Sequence, residues 1–212
     1  MKSIVILSAF LVSVAADANI VRFRHVTDGI YRGSRPGSCT PTNEKGCINP
    51  DTKRMLNQDL DYLKTEGVKT ILDLQMDEKD NFNEARAAKS RSIQVIHLPI
   101  NPITGPDTKT VTKAMDTLNN QKLQPIYVHC EHGKDRTGLI IGLHRVIYQD
   151  FSPQVAMNEM LSIGDAEGLS SFDTRLVGLL FDFCMRTHED KYLIRQNYKS
   201  TVGCIVPFSA PF

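Results

Sequence analysis

Ten consecutive residues hold the chemistry this chain can do: His129-Cys130-Glu131-His132-Gly133-Lys134-Asp135-Arg136-Thr137-Gly138. A strand-like run, Gln124-Pro125-Ile126-Tyr127-Val128, leads into them, and a helix-like run from Leu139 to Ile147 leads out. A strand, a tight glycine-bearing loop and a helix start make a seat for an anion. Loop N–H groups converge there and the helix dipole turns its positive end toward bound charge. The field that holds an anion also holds a cysteine as thiolate. The loop is therefore read as a phosphate site with Cys130 as the attacking nucleophile.

The spacing has a mechanical reason. Cys130 and Arg136 lie six positions apart, which lets the loop curl round one tetrahedral dianion while the Arg136 guanidinium closes the ring with a two-pronged contact. Gly133 permits a turn that a Cβ would obstruct. Thr137 can donate a hydrogen bond to the sulfur and stabilise it as a leaving group. The substrate-binding set is Glu131, His132, Gly133, Lys134, Asp135 and Arg136; the catalytic set is Cys130, Arg136, Thr137 and an acid. Phosphoryl transfer is mainly positioning and charge stabilisation, so the reaction runs by in-line attack, a phosphocysteine intermediate and hydrolysis, with no cofactor or metal required. His132 and Lys134 add positive charge beyond Arg136 and favour a substrate with several phosphates.

Other readings of the stretch are weaker. His129, Cys130 and His132 cluster, but they are too close in sequence for a usual ligand pair, and no distant Cys/His pair completes a metal set. A nucleotide-binding P-loop needs a glycine where Val128 stands and a Ser or Thr where Asp135 stands. A binding module that keeps the anion seat but lacks turnover is the rival from another class.

The elements that must position this loop follow a strand–helix alternation. Val21 to Val26 and Ile30 to Arg32 read as a hairpin across Thr27-Asp28-Gly29. A helix from about Asp51 to Glu66, stopped by Gly67, precedes a buried strand over Val68 to Leu74. A polar helix through Glu84 to Lys89, a strand over Ile93 to Leu98 and a helix from Thr108 to Asn119 follow. After the loop come a central buried helix, a helix begun by Ser152-Pro153 and closed at Gly164, and a last helix over Ser171 to Met185. The pattern implies an α/β fold, with a mainly parallel central sheet and helices on both faces.

Of 212 residues, 41% are hydrophobic and the formal charge is +1, which gives no global pull toward nucleic acid or membrane. Lys2, the apolar run Ile4 to Val12 and the small residues Val14-Ala15-Ala16-Asp17-Ala18 have the order of a secretory leader. That divides the chain into a signal peptide, 1–18, and a single domain, 19–212, with a periplasmic or secreted destination and no stable membrane insertion. Five cysteines in an oxidising compartment allow four to pair. Local spacing suggests Cys39 with Cys47 and Cys184 with Cys204, leaving Cys130 free, though connectivity stays open.

The stretch His129 to Gly138 resembles the signature of the cysteine-dependent phosphatases, the protein tyrosine and dual-specificity superfamily: His-Cys, five residues, Arg-Thr-Gly. Ile30-Tyr31-Arg32-Gly33-Ser34-Arg35-Pro36 and Leu63 to Leu74 are similar to atypical dual-specificity phosphatases and tyrosine-phosphatase-like inositol phosphatases. The resemblance implies Cys130 as nucleophile, Arg136 as phosphate clamp, Thr137 as thiolate partner and His129 as a residue that tunes the thiolate. It implies a phosphorylated partner, either an inositol polyphosphate or a phosphoprotein. The family's general acid is an Asp in a Trp-Pro-Asp-type loop, and this chain has no Trp. Asp107, after Pro106, is the candidate there, although it can equally cap the helix begun by Thr108. Asn101 lies nearer the usual spacing and cannot donate as an acid. Asp135 and Asp165 are further candidates.

Overall fold

The computed structural model describes residues 20–38 and 52–163. The proposed leader, Cys39, Cys47, Cys184, Cys204, Asp165 and the Ser171 to Met185 helix lie outside them. Five strands form one sheet in the order β1-β2-β5-β3-β4: β1 (Arg24–Thr27), β2 (Ile30–Gly33), β3 (Thr70–Asp73), β4 (Gln94–His97) and β5 (Ile126–His129). The β1–β2 hairpin is antiparallel and every other pairing is parallel. Five helices complete it: α1 (Thr52–Thr65), α2 (Glu78–Lys89), α3 (Thr108–Asn119), α4 (Asp135–Tyr148) and α5 (Pro153–Ile163).

Period-two alternation divides the core. On β3, Ile71 packs with Leu60 and Leu63 of α1 and Ala88 of α2, while its neighbour Leu72 packs with residues of α3, α4 and α5. On β5, Tyr127 joins the first group and Val128 the second. Both faces are thus covered, as parallel strands require. Gly67, at φ +79°, ends α1 in the left-handed conformation, with Val68 N donating to Leu63 O and Gly67 N to Lys64 O. The polar helix starts earlier than its alanine-rich part suggests, at Glu78.

One consequence matters for the site. The C-terminal residues of the parallel strands fall in one row: Gly33 opposite His129, His129 opposite Asp73, and Asp73 opposite His97. Ligands of such sheets sit beyond the carboxyl ends of the strands, and Cys130 is the first residue past this row.

Candidate active site

Cys130 leaves β5 buried, 2% exposed, and its thiol is free. Three successive carbonyls of the following loop are held from outside, and the fourth accepts the first backbone bond of α4. Glu131 O accepts from Arg35 N at 3.1 Å, and His132 O from Arg22 Nη1 at 3.0 Å. Gly133 O accepts from Arg32 Nη2 at 2.8 Å, and Lys134 O from Gly138 N at 2.8 Å. In a planar trans peptide the N–H points opposite to the C=O. Carbonyls drawn outward therefore turn the next amides inward, and α4 begins at Asp135 with its positive end toward the same space.

Gly133 takes φ +70°, and a Cβ there would overlap the Gly33 carbonyl and crowd Ser34 N. Loop and hairpin can approach this closely only with glycine. Arg32 is 1% exposed, with a pKa lowered to about 10. Burial lowers it, and nearby Cys130 works against that. A cation fixed behind the loop both draws its carbonyls and favours the thiolate.

Beneath Cys130 lies a buried polar floor. His129, fully buried, stacks on Tyr127 with ring centroids 5.7 Å apart. Its Nε2 lies 3.1 Å from Glu84 Oε1 and 3.8 Å from Asp73 Oδ1. Its Nδ1 lies 3.1 Å from the Cys130 carbonyl oxygen. Asp73 Oδ2 meets His97 Nδ1 at 3.0 Å and Asp73 Oδ1 accepts from Gln75 N at 2.8 Å. Burial alone would lower the His129 pKa, but the Glu84 and Asp73 carboxylates outweigh it and raise it to about 9. Among the described residues, Asp73, Glu84 and His129 also form the group whose ligand-capable atoms lie within 4.8 Å of one another. An imidazolium supplies the positive charge such a group needs.

The loop residues expected from the sequence come together here. Gly133 is buried, Lys134, Asp135 and Arg136 are half-buried, and Glu131 and His132 are exposed. Arg136 Nη1 is steadied by Leu74 O at 3.4 Å. Thr137 is buried at the start of α4, and its hydroxyl has no hydrogen-bond partner among the described residues, so the bond to the sulfur is not formed in this structure. Asp107 is the N-cap of α3, exposed, accepting from Thr110 N at 2.7 Å. Bonds from Thr110, side chain and backbone, hold its carboxyl below the ordinary range. Asn101 closes its own loop by accepting from Ile103 N and Thr104 N.

Four participants were not singled out for the site from sequence: Arg32, Asp73, Glu84 and His97. An arginine near the end of a strand run, and ionisable residues ending two parallel strands, are the signals that could have found three of them. Glu84, four before the buried Ala88 on the same helix face, is the fourth.

Known proteins resemble this chain in sequence and in fold. The dual-specificity phosphatase TpbA of Pseudomonas aeruginosa is 28% identical over 68 residues, 32% of this chain and 31% of that protein. The probable chloroplastic NAD kinase 2 of Oryza sativa is 30% identical over 86 residues, 39% of this chain and 9% of that protein. The chain thus spans about a third or less of the length of these curated relatives. The core catalytic domain of the PP-IP phosphatase SIW14 from S. cerevisiae has the same fold, with a TM-score of 0.56 and 23% identity over 82% of this chain and 94% of that one. Crystalline P. aeruginosa TpbA matches with a TM-score of 0.56 and 20% identity, covering 78% and 90%. Residues 54–173 match the family described as DSP-PTPase phosphatase fused to NAD+ kinase. With that match spanning more than half of its length, the chain belongs to this family of dual-specificity-type, cysteine-dependent phosphatases.

Proposed function

We propose that the chain hydrolyses phosphomonoesters through a phosphocysteine, with inositol polyphosphates as its substrates. The observation that carries the reaction is the loop with its carbonyls anchored outward around a buried thiol and Arg136. The Cys130 thiolate attacks phosphorus in line, and the bond from phosphorus to the leaving oxygen breaks with its electron pair on that oxygen. Arg136 and the inward amides hold the three equatorial oxygens. Water then attacks phosphorus, the S–P bond breaks, and the thiolate is restored. The leaving oxygen takes its proton from Asp107 or Asp135, and the carboxylate so formed takes the proton of the attacking water, which restores the acid. Asp107 must first release its cap bond, because that bond favours the ionised form.

The polyphosphate reading rests on His132 and Lys134 beside Arg136, and the SIW14 neighbour is named as a PP-IP phosphatase. A second reading has its own support. Met76, Phe82 and Ile103 are exposed apolar residues, and all three lie on segments that follow the carboxyl ends of β3 and β4. Such a rim suits an aromatic phosphate in a peptide better than a polyanion. A solved TpbA complex contains phosphotyrosine. Export to the periplasm or medium belongs to the same proposal, on the order of residues 1–18.

A substrate panel tests it. Burst release from an aryl phosphate, absent in Cys130→Ser, establishes turnover; phosphate binding without a burst would favour the binding module. Inositol polyphosphates should be turned over in preference to phosphotyrosine peptides. Lys134→Ala should cost them at least tenfold, against less than threefold for aryl phosphate. Preference for the peptides, with loss in Phe82→Ala, would overturn the inositol assignment and leave the reaction standing.

A further inference from the structure

We infer that Glu84, which is not part of the anion loop, is a positioning residue: it keeps His129 as an imidazolium so that the charge beside Cys130 holds the nucleophile as thiolate. The inference rests on the reading of Cys130 as nucleophile, and the geometry is specific. Both ring nitrogens of His129 face acceptors. Nδ1 meets the Cys130 carbonyl at 3.1 Å, and Nε2 meets the Glu84 carboxylate at 3.1 Å with Asp73 at 3.8 Å. A neutral imidazole has one N–H, so one nitrogen would then present a lone pair to an oxygen. Protons on both nitrogens give Nδ1 its bond and place a positive charge 3.1 Å from Glu84 Oε1, an ion pair whose N–H is not aligned for a hydrogen bond.

The surroundings leave few other means of neutralising Glu84. It is 2% exposed, and among the described residues neither of its oxygens has an aligned hydrogen bond, so the imidazolium is its counter-charge. The groups facing His129 from each packed element are Glu84 of α2, Asp73 of β3, and Tyr127 and Cys130 of its own segment. His97 of β4 takes the other oxygen of Asp73, which leaves Glu84 as the nearer carboxylate. The pKa of His129, raised to about 9, agrees.

The sign of the effect on the thiol follows from placement. Glu84 meets the ring at the nitrogen away from Cys130. Neutralising Glu84 removes a negative charge on the side of the ring away from Cys130, while the proton then lost from the ring is a positive charge on the residue that adjoins the nucleophile. The nearer loss dominates, and the thiol pKa rises.

The experiment reads the thiol directly. The full chain and its Glu84→Gln and Glu84→Asp variants are alkylated with iodoacetamide across pH, and the peptide containing Cys130 is followed by mass spectrometry. Glu84→Gln should raise the midpoint by about one unit, cutting alkylation at pH 7 by up to tenfold, and Glu84→Asp should fall between it and the parent. Turnover is not needed for this readout, so a failed phosphatase assay would not be mistaken for failure here. Nitrogen NMR of His129 in the unaltered chain gives an arm independent of any variant's folding: both ring nitrogens should be protonated at pH 7. A neutral ring, or an unchanged Cys130 midpoint in a folded Glu84→Gln protein, would overturn the assignment.

Discussion

Two buried histidines in this domain sit under opposite forces. His129, at the end of β5, has its pKa raised to about 9; His144, inside α4, has it lowered to about 4. Burial pushes both downward. At His129 two carboxylates reverse that push, while at His144 the neighbouring Arg145 adds to it. His144 packs against Tyr148, and its Nδ1 has no hydrogen-bond partner among the described residues. Burial therefore does not decide a histidine's charge; the charged groups buried with it do. Beneath Cys130 the two carboxylates favour a charged ring, and in α4 burial and Arg145 favour a neutral one.

Removing the partner should break this contrast most severely. Glu84→Ala removes the nearer carboxylate, so the fold must either bury a poorly compensated imidazolium or strip its proton, and should cost roughly 3–5 kcal/mol in urea denaturation. His144→Leu discards a ring nitrogen that has no partner, and should change stability by less than about 1.5 kcal/mol. Equal losses for the two variants would mean that charge pairing is not what separates the sites.

The same contrast predicts how stability depends on pH. The folded pKa of His129 lies above its unfolded value near 6.5, so its contribution is fully present below that value and is lost as pH rises through about 9. The full difference is on the order of 3 kcal/mol. His144 has a folded pKa below the unfolded one, so its contribution is present above about 6.5 and is lost as pH falls through about 4. Melting temperature should therefore decline on both sides of that value. His129→Gln should flatten the alkaline side alone, and His144→Leu should soften the acid side alone. An alkaline decline that survives His129→Gln would remove His129 from the account.

How much of this could be read from the sequence follows from the same comparison. Cys130, Gly133 and Arg136 lie on one continuous loop, and a loop's own spacing states what it can surround. The limits of α3, Thr108–Asn119, were legible because a capping Asp and an apolar period fix a helix locally. The floor was not legible. Asp73, Glu84 and His129 come from two strands and a helix, and they meet only through register and helix docking. In isolation Glu84 belongs to a helix of low hydrophobicity and reads as solvated; only the position of Ala88 on the same face places it inward. Arg32 lies in a stretch that resembles the family, but its partners Gly133 and Lys134 are about a hundred residues away.

The smallest expected effect concerns the acid. Asp107 is engaged in the Thr110 cap bond, and a cap and a proton donor make different demands on a side chain. Asn caps a helix about as well as Asp, whereas Ala does not; neither Asn nor Ala can donate as an acid. Asp107→Ala should thus cost about 1 kcal/mol of stability and Asp107→Asn only a few tenths. If Asp107 is the acid, Asp107→Asn must still lose activity. The loss should be about 100-fold or more on an alkyl phosphate, whose leaving oxygen needs the proton, and slight on an aryl phosphate, whose oxygen does not. The alkaline limb of the pH–rate profile should vanish with it. A folded Asp107→Asn protein with unchanged alkyl phosphate turnover assigns Asp107 to the helix alone, and passes the proton to Asp135 at the head of α4.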